Sequence, residues 1–418
     1  MIDGIFRRLA TLILAAFVAW SLYGYGLSHI NSEGILVDPA FKVMLQPKPE
    51  LLDADALVKQ AETLSESGDD EQAKTLALTA LRQNPSSGRA ASFLLSLYEN
   101  NNQITKASEV GDLAGKLWPA HGYTHSRLAN YWASQGRVDK LLEEWNILLI
   151  RNPGLQRELF PKLQALTLDG GRLGLLESYV QNPPRWWNSF FLYLSSRASL
   201  RDLQILYFAR LASPVPPSDS ERNSYVKRLI KEGSLKDAFD TWFLGLSQVE
   251  MRFGGLVFDG GFESSIINQG FGWQLSRTKN PRISRGITYG IKGGKALQIV
   301  FRKEDRINFR HVSQRLLLTP GDYTLNLRYR LDTLKNPKGL SWRIYCVAGD
   351  NAKLGESSAL KGKGSWSQLN VDFTVPKSCS AQLLRLEAAS SYAHDHTFSG
   401  SVWFDDVAIR ERKLKDDK

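Results

Sequence analysis

Cysteine is scarce in this sequence: Cys346 and Cys379 are the two in 418 residues. In an oxidising compartment we expect them to pair and to close a loop of 32 intervening residues. Such a bridge typically contributes about 2–4 kcal/mol to stability. Two buried free thiols are the alternative. The chain also has no Asn-x-Ser/Thr site with a permitted middle residue, which favours a bacterial periplasm over a eukaryotic secretory route.

Short motifs of common active sites are also missing. Neither Gly-x-Ser-x-Gly nor His-Glu-x-x-His occurs. The segment from Gly290 to Lys295 lacks the spacing of a phosphate-binding loop, and Ala296 follows it where Ser or Thr is needed. His394 and His396 form a His-x-His pair without an identifiable third zinc ligand, so a polar loop is the better interpretation. We therefore predict no catalytic residue and a protein that binds rather than catalyses.

Charge is missing from the N-terminal run Leu9–Leu27, whose 19 residues are close to the length of a membrane-spanning helix. Arg7 and Arg8 precede it, which indicates a cytoplasmic N-terminus and a periplasmic remainder. We predict a cytoplasmic stub and single-pass inner-membrane anchor over residues 1–28, in contact with the bilayer through 9–27. A cleaved signal peptide is the alternative. Residues 29–50 contain three prolines and little periodicity, and we interpret them as a spacer.

A repeat of 34 residues follows the spacer. Turn-forming residues recur at that step: Gly68, Asn102, Gly136 and Gly170. Prolines keep the same step 17 residues later: Pro85, Pro119 and Pro153. This is the period of tetratricopeptide (TPR) helical hairpins, in which Gly or Asn ends the first helix and Pro closes the second. We predict an α-solenoid of about six hairpins over residues 51–250, with Ala73 and Ala107 as small packing residues and the last two hairpins divergent.

The pattern changes from a helical period to alternation near Gly254. In the segment from Asp322 to Asp332, apolar residues occupy one face and polar residues the other. This pattern predicts an antiparallel sheet packed on a second sheet. We therefore predict a C-terminal β-sandwich over residues 255–411 with at least eight strands, followed by a charged tail, 412–418. The whole fold class is a multidomain α plus β architecture.

Positive charge is concentrated in this C-terminal part. Residues 252–418 carry 27 Lys and Arg against 16 Asp and Glu, whereas the whole chain has a net charge of +10. Outside the cytoplasm the expected anionic partners are acidic polysaccharide or the envelope, and nucleic acid is not expected. An evenly charged surface without a ligand is the alternative.

The sandwich opens with FDGGFESS, followed by FGWQL, and closes with SGSVWFDDVAI. This pairing resembles jelly-roll carbohydrate-binding modules, over roughly residues 255–411. The resemblance implies that the two ends lie side by side and can hold a structural calcium ion. Glu263 with Asp405 or Asp406 would then supply oxygen ligands, since hard cations require several oxygens. In the alternative interpretation these carboxylates bind only backbone amides.

Sugar recognition requires flat aromatic faces beside planar polar side chains. Polar positions of the predicted strands offer a candidate glycan-binding set: Asn326, Arg328, Arg330, Arg343, Tyr345, Arg385 and, if its register allows, Trp403. Arg pairs with carboxylate through two parallel hydrogen bonds, so the set suits a chain that contains uronic acid. Arginines spread over a solvated face, with Trp403 in the core, are the alternative.

Taken together, the anchor, the hairpin repeats and the sandwich resemble the membrane-anchored tetratricopeptide proteins of bacterial exopolysaccharide synthesis and export. The resemblance implies a scaffold whose solenoid binds a protein of that machine, while the sandwich binds an anionic glycan. The alternatives are a structural scaffold whose sandwich binds protein, and an envelope glycan hydrolase.

Overall fold

The computed structural model describes residues 52–119, 121–169, 171–276, 278–302, 306–347 and 351–412. The predicted anchor, the predicted spacer and, apart from Arg412, the predicted tail lie outside these ranges. Among the described helices, none combines the length and the apolar character that crossing a membrane requires. The architecture is helices followed by two antiparallel sheets, so the α plus β prediction is confirmed.

Helices occupy the described chain from Ala54 to Met251. Their bounds are α1 Ala54–Glu66, α2 Asp70–Gln83, α3 Gly88–Asn100, α4 Ile104–Leu117, α5 Gly122–Ser134, α6 Val138–Arg151, α7 Gln156–Gln164, α8 Glu177–Gln181, α9 Trp187–Arg197, α10 Leu200–Leu211, α11 Asp219–Lys231, α12 Leu235–Leu244 and α13 Gln248–Met251. The first six form three regular hairpins with short turns.

The turns between paired helices lie where the repeat predicts them. Gly68, Asn102 and Gly136 have φ values of 89°, 54° and 66°, in the left-handed region that ends a helix. The fourth predicted position, Gly170, lies outside the described residues, and Gly171 beside it has a φ of 66°. Ala73 and Ala107 are fully buried, so they let the paired helices approach closely.

The fourth repeat differs from the predicted hairpin. Its first helix, α7, contains Pro161, which removes a backbone donor and interrupts the helical hydrogen bonds. A five-residue π-helical turn, Ala165–Asp169, and a 3₁₀ turn, Leu173–Leu176, then replace regular helix before the short α8. The strict helical repeat is therefore limited to the first three hairpins.

Ten strands follow in the described C-terminal part. Their bounds are β1 Gln274–Leu275, β2 Arg282–Gly286, β3 Ala296–Phe301, β4 Val312–Leu316, β5 Gly321–Leu334, β6 Leu340–Cys346, β7 Lys353–Glu356, β8 Gly362–Val375, β9 Gln382–Ala388 and β10 Gly400–Glu411. Sheet one has the order β1-β4-β9-β6-β7 and sheet two the order β2-β3-β10-β5-β8, with antiparallel pairing throughout.

Alternation along β5 sets the two faces of sheet two. Tyr323, Leu325 and Leu327 are buried in the sandwich core, whereas the polar residues between them lie on the outer face. Trp342 and Phe404 belong to the same core. This confirms the prediction of a two-layered antiparallel sandwich with one apolar and one polar face per strand.

Cys346 and Cys379 form a disulfide, with their Cα atoms 5.6 Å apart. Both are buried in the core of the sandwich. The prediction that the two cysteines pair is confirmed, and the alternative of two free thiols is excluded.

The described residues form two compact units. The first contains the chain up to Tyr179 together with Pro183–Trp187, and the second contains Val180–Asn182 and the chain from Asn188 onwards. The division therefore lies within the helical region and not near Gly254, where the sequence pattern changes.

Aromatic packing explains why the last helices belong to the same unit as the sandwich. The ring of Trp242, on α12, lies 5.0 Å from the ring of Phe258 and 5.8 Å from that of Phe271. Gly270 has a φ of 51° and leaves room for the Trp242 indole, which a Cβ at that position would strike. The last helical hairpin is thereby attached to the opening segment of the sandwich.

Candidate functional site

The predicted glycan-binding residues lie on two different sheets. Arg343, Tyr345 and Arg385 are on β6 and β9 of sheet one. The remaining residues are on β5 and β10 of sheet two: Asn326, Arg328, Arg330 and Trp403. The sequence grouped them because all alternate with core residues, but alternation does not reveal which sheet a strand joins. The structure does not bring them into one site.

The sheet-one residues neutralise one another. Arg343 binds Glu356 and Glu387, with N–O distances of 2.6 Å each. Arg385 binds Glu387 at 2.5 Å, and the Tyr345 hydroxyl donates to the same carboxylate. Burial alone would lower the pKa of Arg343, but its bonds with Glu387 and Glu356 raise it. This cluster therefore has few free donors for an acidic ligand.

On sheet two, Arg330 is only 4% exposed although it lies on the outer face. Its guanidinium donates to both carboxylate oxygens of Asp332, at 2.8 and 3.0 Å, and to the Thr288 hydroxyl at 2.6 Å. It stacks 4.4 Å from the Tyr289 ring and 5.2 Å from the Trp403 ring. Arg330 is thus buried because the segment 287–295, the covering loop, lies over it.

Other residues of sheet two hold the same loop. Arg328 donates to the Gly290 carbonyl at 2.8 Å, and Trp366 donates through Nε1 to the Tyr289 carbonyl at 2.7 Å. Trp403 is 6% exposed, pairs with Arg330 on the outer face and donates through Nε1 to Asp332 at 2.8 Å. These side chains position the covering loop, and the loop in turn supplies exposed groups.

The predicted calcium ligands also bind protein donors. Glu263 Oε1 accepts from the backbone N–H groups of Gly294 at 2.8 Å and Lys295 at 3.2 Å. The two oxygens of Asp405 accept from the Lys292 and Asp406 amides, at 3.2 and 2.8 Å. Burial raises the pKa of the Asp405 carboxyl, and a bound cation would act in the opposite direction.

Asp406 pairs with the Lys292 ammonium at 2.9 Å. Within the described residues no group of three or more His, Cys, Asp or Glu side chains is arranged to hold a metal ion. Glu263 and Asp405 accept from backbone amides, as the alternative interpretation of the sequence expects, and the calcium ligand set stays a prediction. The opening and closing segments do lie side by side, since the Val407 amide donates to the Gly260 carbonyl at 2.9 Å.

A groove of about 340 Å³ lies on the outer face of sheet two, beside the covering loop. We call it the sheet-two groove. Its lining is mostly polar: the backbone of Gly260 and Gly261, and the side chains Lys292, Asn326, Arg328, Gln368, Asp406 and Arg410 with neighbouring strand residues. Amide and guanidinium groups are thus gathered in one concave surface.

The groove has an excess of positive charge. Lys292 is paired with Asp406, and Arg328 lies 3.8 Å from the same carboxylate. Arg410 is exposed and forms no ion pair in the part of the chain that the structure describes. Three cations therefore face one accessible carboxylate, because Asp405 is only 1% exposed.

An exposed aromatic ring, that of Tyr289, lies on the covering loop, whose Lys292 lines the groove. Tyr289 is 69% exposed and is backed on one side by the Arg330 guanidinium. Because Arg330 and Trp366 fix the loop, this ring is held at a defined position rather than on a free segment. An aromatic face next to planar hydrogen-bonding groups is the combination that sugar recognition uses.

Sequence reasoning missed Tyr289, Lys292, Gln368 and Arg410. Arg410 is on the outer face because of a β-bulge between Asp405 and Ala408, which shifts the register of β10 against β5. Asp406, at the bulge, has a φ of 52°. A bulge inserts one extra residue, so the side chains beyond it face the opposite way from the regular alternation that was used to choose site residues. The cluster of glycines from Gly290 to Gly294 was the one available signal for a tightly held loop.

No protein-family model matches this chain, and no curated protein does either. Solved structures similar to it include carbohydrate-binding modules. A CBM4 module is 14% identical, covering 37% of this chain and 99% of its own, with a TM-score of 0.28. The CBM22-1 xylan-binding domain of Paenibacillus barcinonensis Xyn10C is 14% identical, covering 37% and 94%, with a TM-score of 0.26.

TmCBM61, solved in complex with β-1,4-galactotriose, is 13% identical, covering 38% of this chain and 99% of its own, with a TM-score of 0.27. At these identities and TM-scores the likeness carries no argument about a ligand. The site is judged on its own residues.

Proposed function

We propose that this protein is a non-enzymatic scaffold at the periplasmic face of a bacterial inner membrane. Its sandwich binds an anionic glycan in the sheet-two groove, and its TPR-like hairpins bind a protein of a polysaccharide synthesis or export machine. The N-terminal anchor holds both parts at the membrane. The observation that carries the glycan half is the cationic, amide-lined groove, with an exposed tyrosine on the loop whose Lys292 lines it.

The chemistry of the groove supports an acidic sugar chain. Arg410 offers a planar guanidinium that can donate two parallel hydrogen bonds to a carboxylate. Asn326 and Gln368 offer amides for hydroxyl groups, and Tyr289 offers a ring face for stacking. The polar lining argues against the alternative in which the sandwich binds protein through a large apolar patch.

Binding rather than hydrolysis is supported by the state of the nearby carboxylates. Glu263 and Asp405 accept backbone hydrogen bonds, and Asp406 pairs with Lys292. A glycosidase needs two carboxyl groups free to exchange protons and contact the sugar. The disulfide supports an oxidising compartment, in agreement with the predicted topology.

Affinity electrophoresis of the full-length chain in gels containing polygalacturonate tests the glycan half. We expect retardation at low ionic strength that weakens as salt screens the charges. Arg410→Ala should weaken retention by about 10-fold or more, because a hydrogen bond between charged groups contributes about 1.5–3 kcal/mol. Tyr289→Ala should weaken it through loss of stacking.

The matched control is Lys377→Ala, which removes one exposed positive charge from the sandwich outside the groove. It should retain wild-type binding, and a neutral dextran gel should not retard the protein. Absence of retention by polygalacturonate at low salt would remove the glycan half of the proposal. Equal losses in Arg410→Ala and Lys377→Ala would show attraction by net charge and would reject the groove as the site.

A further inference from the structure

A second groove, of about 590 Å³, lies among the last helices of the second unit. We call it the helical groove. It is lined by residues of α10, α11 and α12 and of the segment that joins α10 to α11. Three large apolar side chains on its walls are exposed: Phe208 by 59%, Leu211 by 52% and Leu244 by 78%. Clustered exposed apolar side chains of this size mark interaction surfaces.

The groove is a preformed feature of the helices. Arg210, next to its wall, is 1% exposed and binds Glu221 at 2.9 Å, which fixes α10 against the start of α11. The same guanidinium donates to the carbonyls of Val215 and Pro216, so the connecting segment is held as well. A rigid apolar surface loses little conformational entropy when a partner binds.

The floor of the helical groove is aromatic. Tyr207 and Tyr225 stack with ring centroids 4.3 Å apart. Both are buried, and burial raises the pKa of Tyr207 to about 12, so its hydroxyl stays neutral. The floor can therefore accept an apolar side chain.

Acidic side chains stand at the rim, on α12. Asp240 pairs with Lys236 at 2.7 Å, whereas Asp237 forms no ion pair in the described chain. The groove's arginine, Arg222, is bound to Asp219 at 2.6 Å. The rim residue that remains without a salt bridge in the described chain is thus a carboxylate, and the groove is complementary to an apolar segment that carries a cation.

We propose that the helical groove binds a segment of a partner protein in which a large apolar side chain is followed, within about one helical turn, by Lys or Arg. The apolar side chain lies on the tyrosine floor between Phe208 and Leu244, and the cation pairs with Asp237. This inference deepens the protein-binding half of the proposed function and rests on it.

Selection from a phage-displayed library of random short peptides, on the full-length chain, tests the proposal. Peptides enriched on the wild type should share an apolar residue with a nearby Lys or Arg. Synthetic versions, measured by fluorescence anisotropy, should bind Leu244→Asp at least about 10-fold more weakly, because the contact of a buried apolar side chain is lost. Leu244 is so exposed that its replacement leaves the helix core intact, which circular dichroism verifies.

A second test of the proposal reverses the charge of Asp237. Asp237→Lys should weaken the basic peptides, and selection on this variant should enrich acidic ones. The control is Glu232→Lys, which reverses an exposed carboxylate just after α11, outside the groove, and should not change peptide binding. Retention of polygalacturonate should be the same in all these variants.

Three results would overturn the inference: no enrichment above the library background, enriched peptides that bind Leu244→Asp as well as wild type, or no preference for basic residues. If enriched peptides bind but are insensitive to both groove variants, protein binding by the hairpins stands and this groove is rejected. Loss of polygalacturonate retention with intact peptide binding would instead reject the glycan half of the proposed function.

Discussion

Arg330 illustrates how one residue can be correctly identified and given the wrong role. Its position on the polar face of β5 is as the sequence predicts. The guanidinium is nevertheless covered by the loop that carries Tyr289, and it donates two parallel hydrogen bonds to the Asp332 carboxylate. A buried arginine is stable there because every remaining donor finds an acceptor or an aromatic face. Its contribution to the proposed glycan site is to hold this loop in place.

Acid should weaken the packing of Arg330 beneath the covering loop, because the Asp332 carboxylate that binds Arg330 becomes protonated. Burial alone would raise the pKa of this carboxyl, but hydrogen bonds from Arg330 and Trp403 outweigh it and lower the pKa. Such a group contributes stability above its unfolded pKa of about 3.9 and loses it as pH falls through the folded value. We expect the free energy of unfolding to decrease below about pH 4, with a shallower slope in Asp332→Asn.

Urea unfolding at a series of pH values measures these slopes. Glu411→Gln is the control, because it removes an exposed carboxyl that has no ion-pair partner among the described residues. It should retain the wild-type slope. Identical slopes for wild type and Asp332→Asn would mean that the Arg330–Asp332 pair does not contribute to the acid dependence.

At the scale of elements, the three regular hairpins depend on a residue in the left-handed region at each turn. Gly136 joins α5 to α6 with a φ of 66°. An L-residue with a Cβ in this region incurs a cost of roughly 1–2 kcal/mol. The 34-residue repeat therefore reflects the left-handed backbone conformation that each turn requires, in addition to a pattern of apolar side chains.

Gly136→Ala should lower the free energy of unfolding by about 1 kcal/mol. Gly122→Ala is the matched control: this glycine begins α5, has no positive φ and has open space where a Cβ would be. It should be neutral or stabilise by roughly 0.5 kcal/mol, because alanine favours helix. Both values come from thermal or urea unfolding. Equal effects of the two substitutions would contradict the role of the left-handed turn.

At the scale of the whole molecule, the sandwich brings its opening and closing segments together, and the sheet-two groove forms there. Gly260 and Val407 both line the groove and are joined by a backbone hydrogen bond. A Cβ on Gly260 would collide with the Val407 carbonyl. The stability of the sandwich and the shape of the groove are therefore linked at this contact.

Gly260→Ala should destabilise the protein by about 1–3 kcal/mol, since the crowded backbone must shift. It should also weaken binding to polygalacturonate. The control, Gly364→Ala on β8, meets open space and should leave both properties close to wild type. Unfolding midpoints and affinity electrophoresis measure the two effects. A Gly260→Ala variant as stable as wild type would show that the two segments are not tightly coupled.

Much of the architecture could be predicted from local patterns. The helix turns at Gly68, Asn102 and Gly136 and the alternation along β5 follow from backbone geometry within short segments. The pairing of Cys346 with Cys379 follows because the chain has no other cysteine. The TPR type, the membrane anchor and the periplasmic location remain predictions.

Much less of the candidate site could be predicted. Arg343 and Arg385 alternate with core residues just as Arg328 does, but β6 and β9 belong to the other sheet. The bulge in β10 places Arg410 on the outer face, and a distant loop buries Arg330. None of these facts has a signature within one segment.

The sequence by itself determined the order of elements and the faces of its regular strands, because turn residues and apolar periodicity act over a few residues. Only the tertiary structure decided which charges remain free, since partners such as Glu387 for Arg343 and the covering loop for Arg330 lie far away in the chain. It also placed the last hairpin with the sandwich, through the contacts of Trp242 with Phe258 and Phe271. Ligand binding depends on this second kind of information, because it needs unpaired groups gathered in one concave surface.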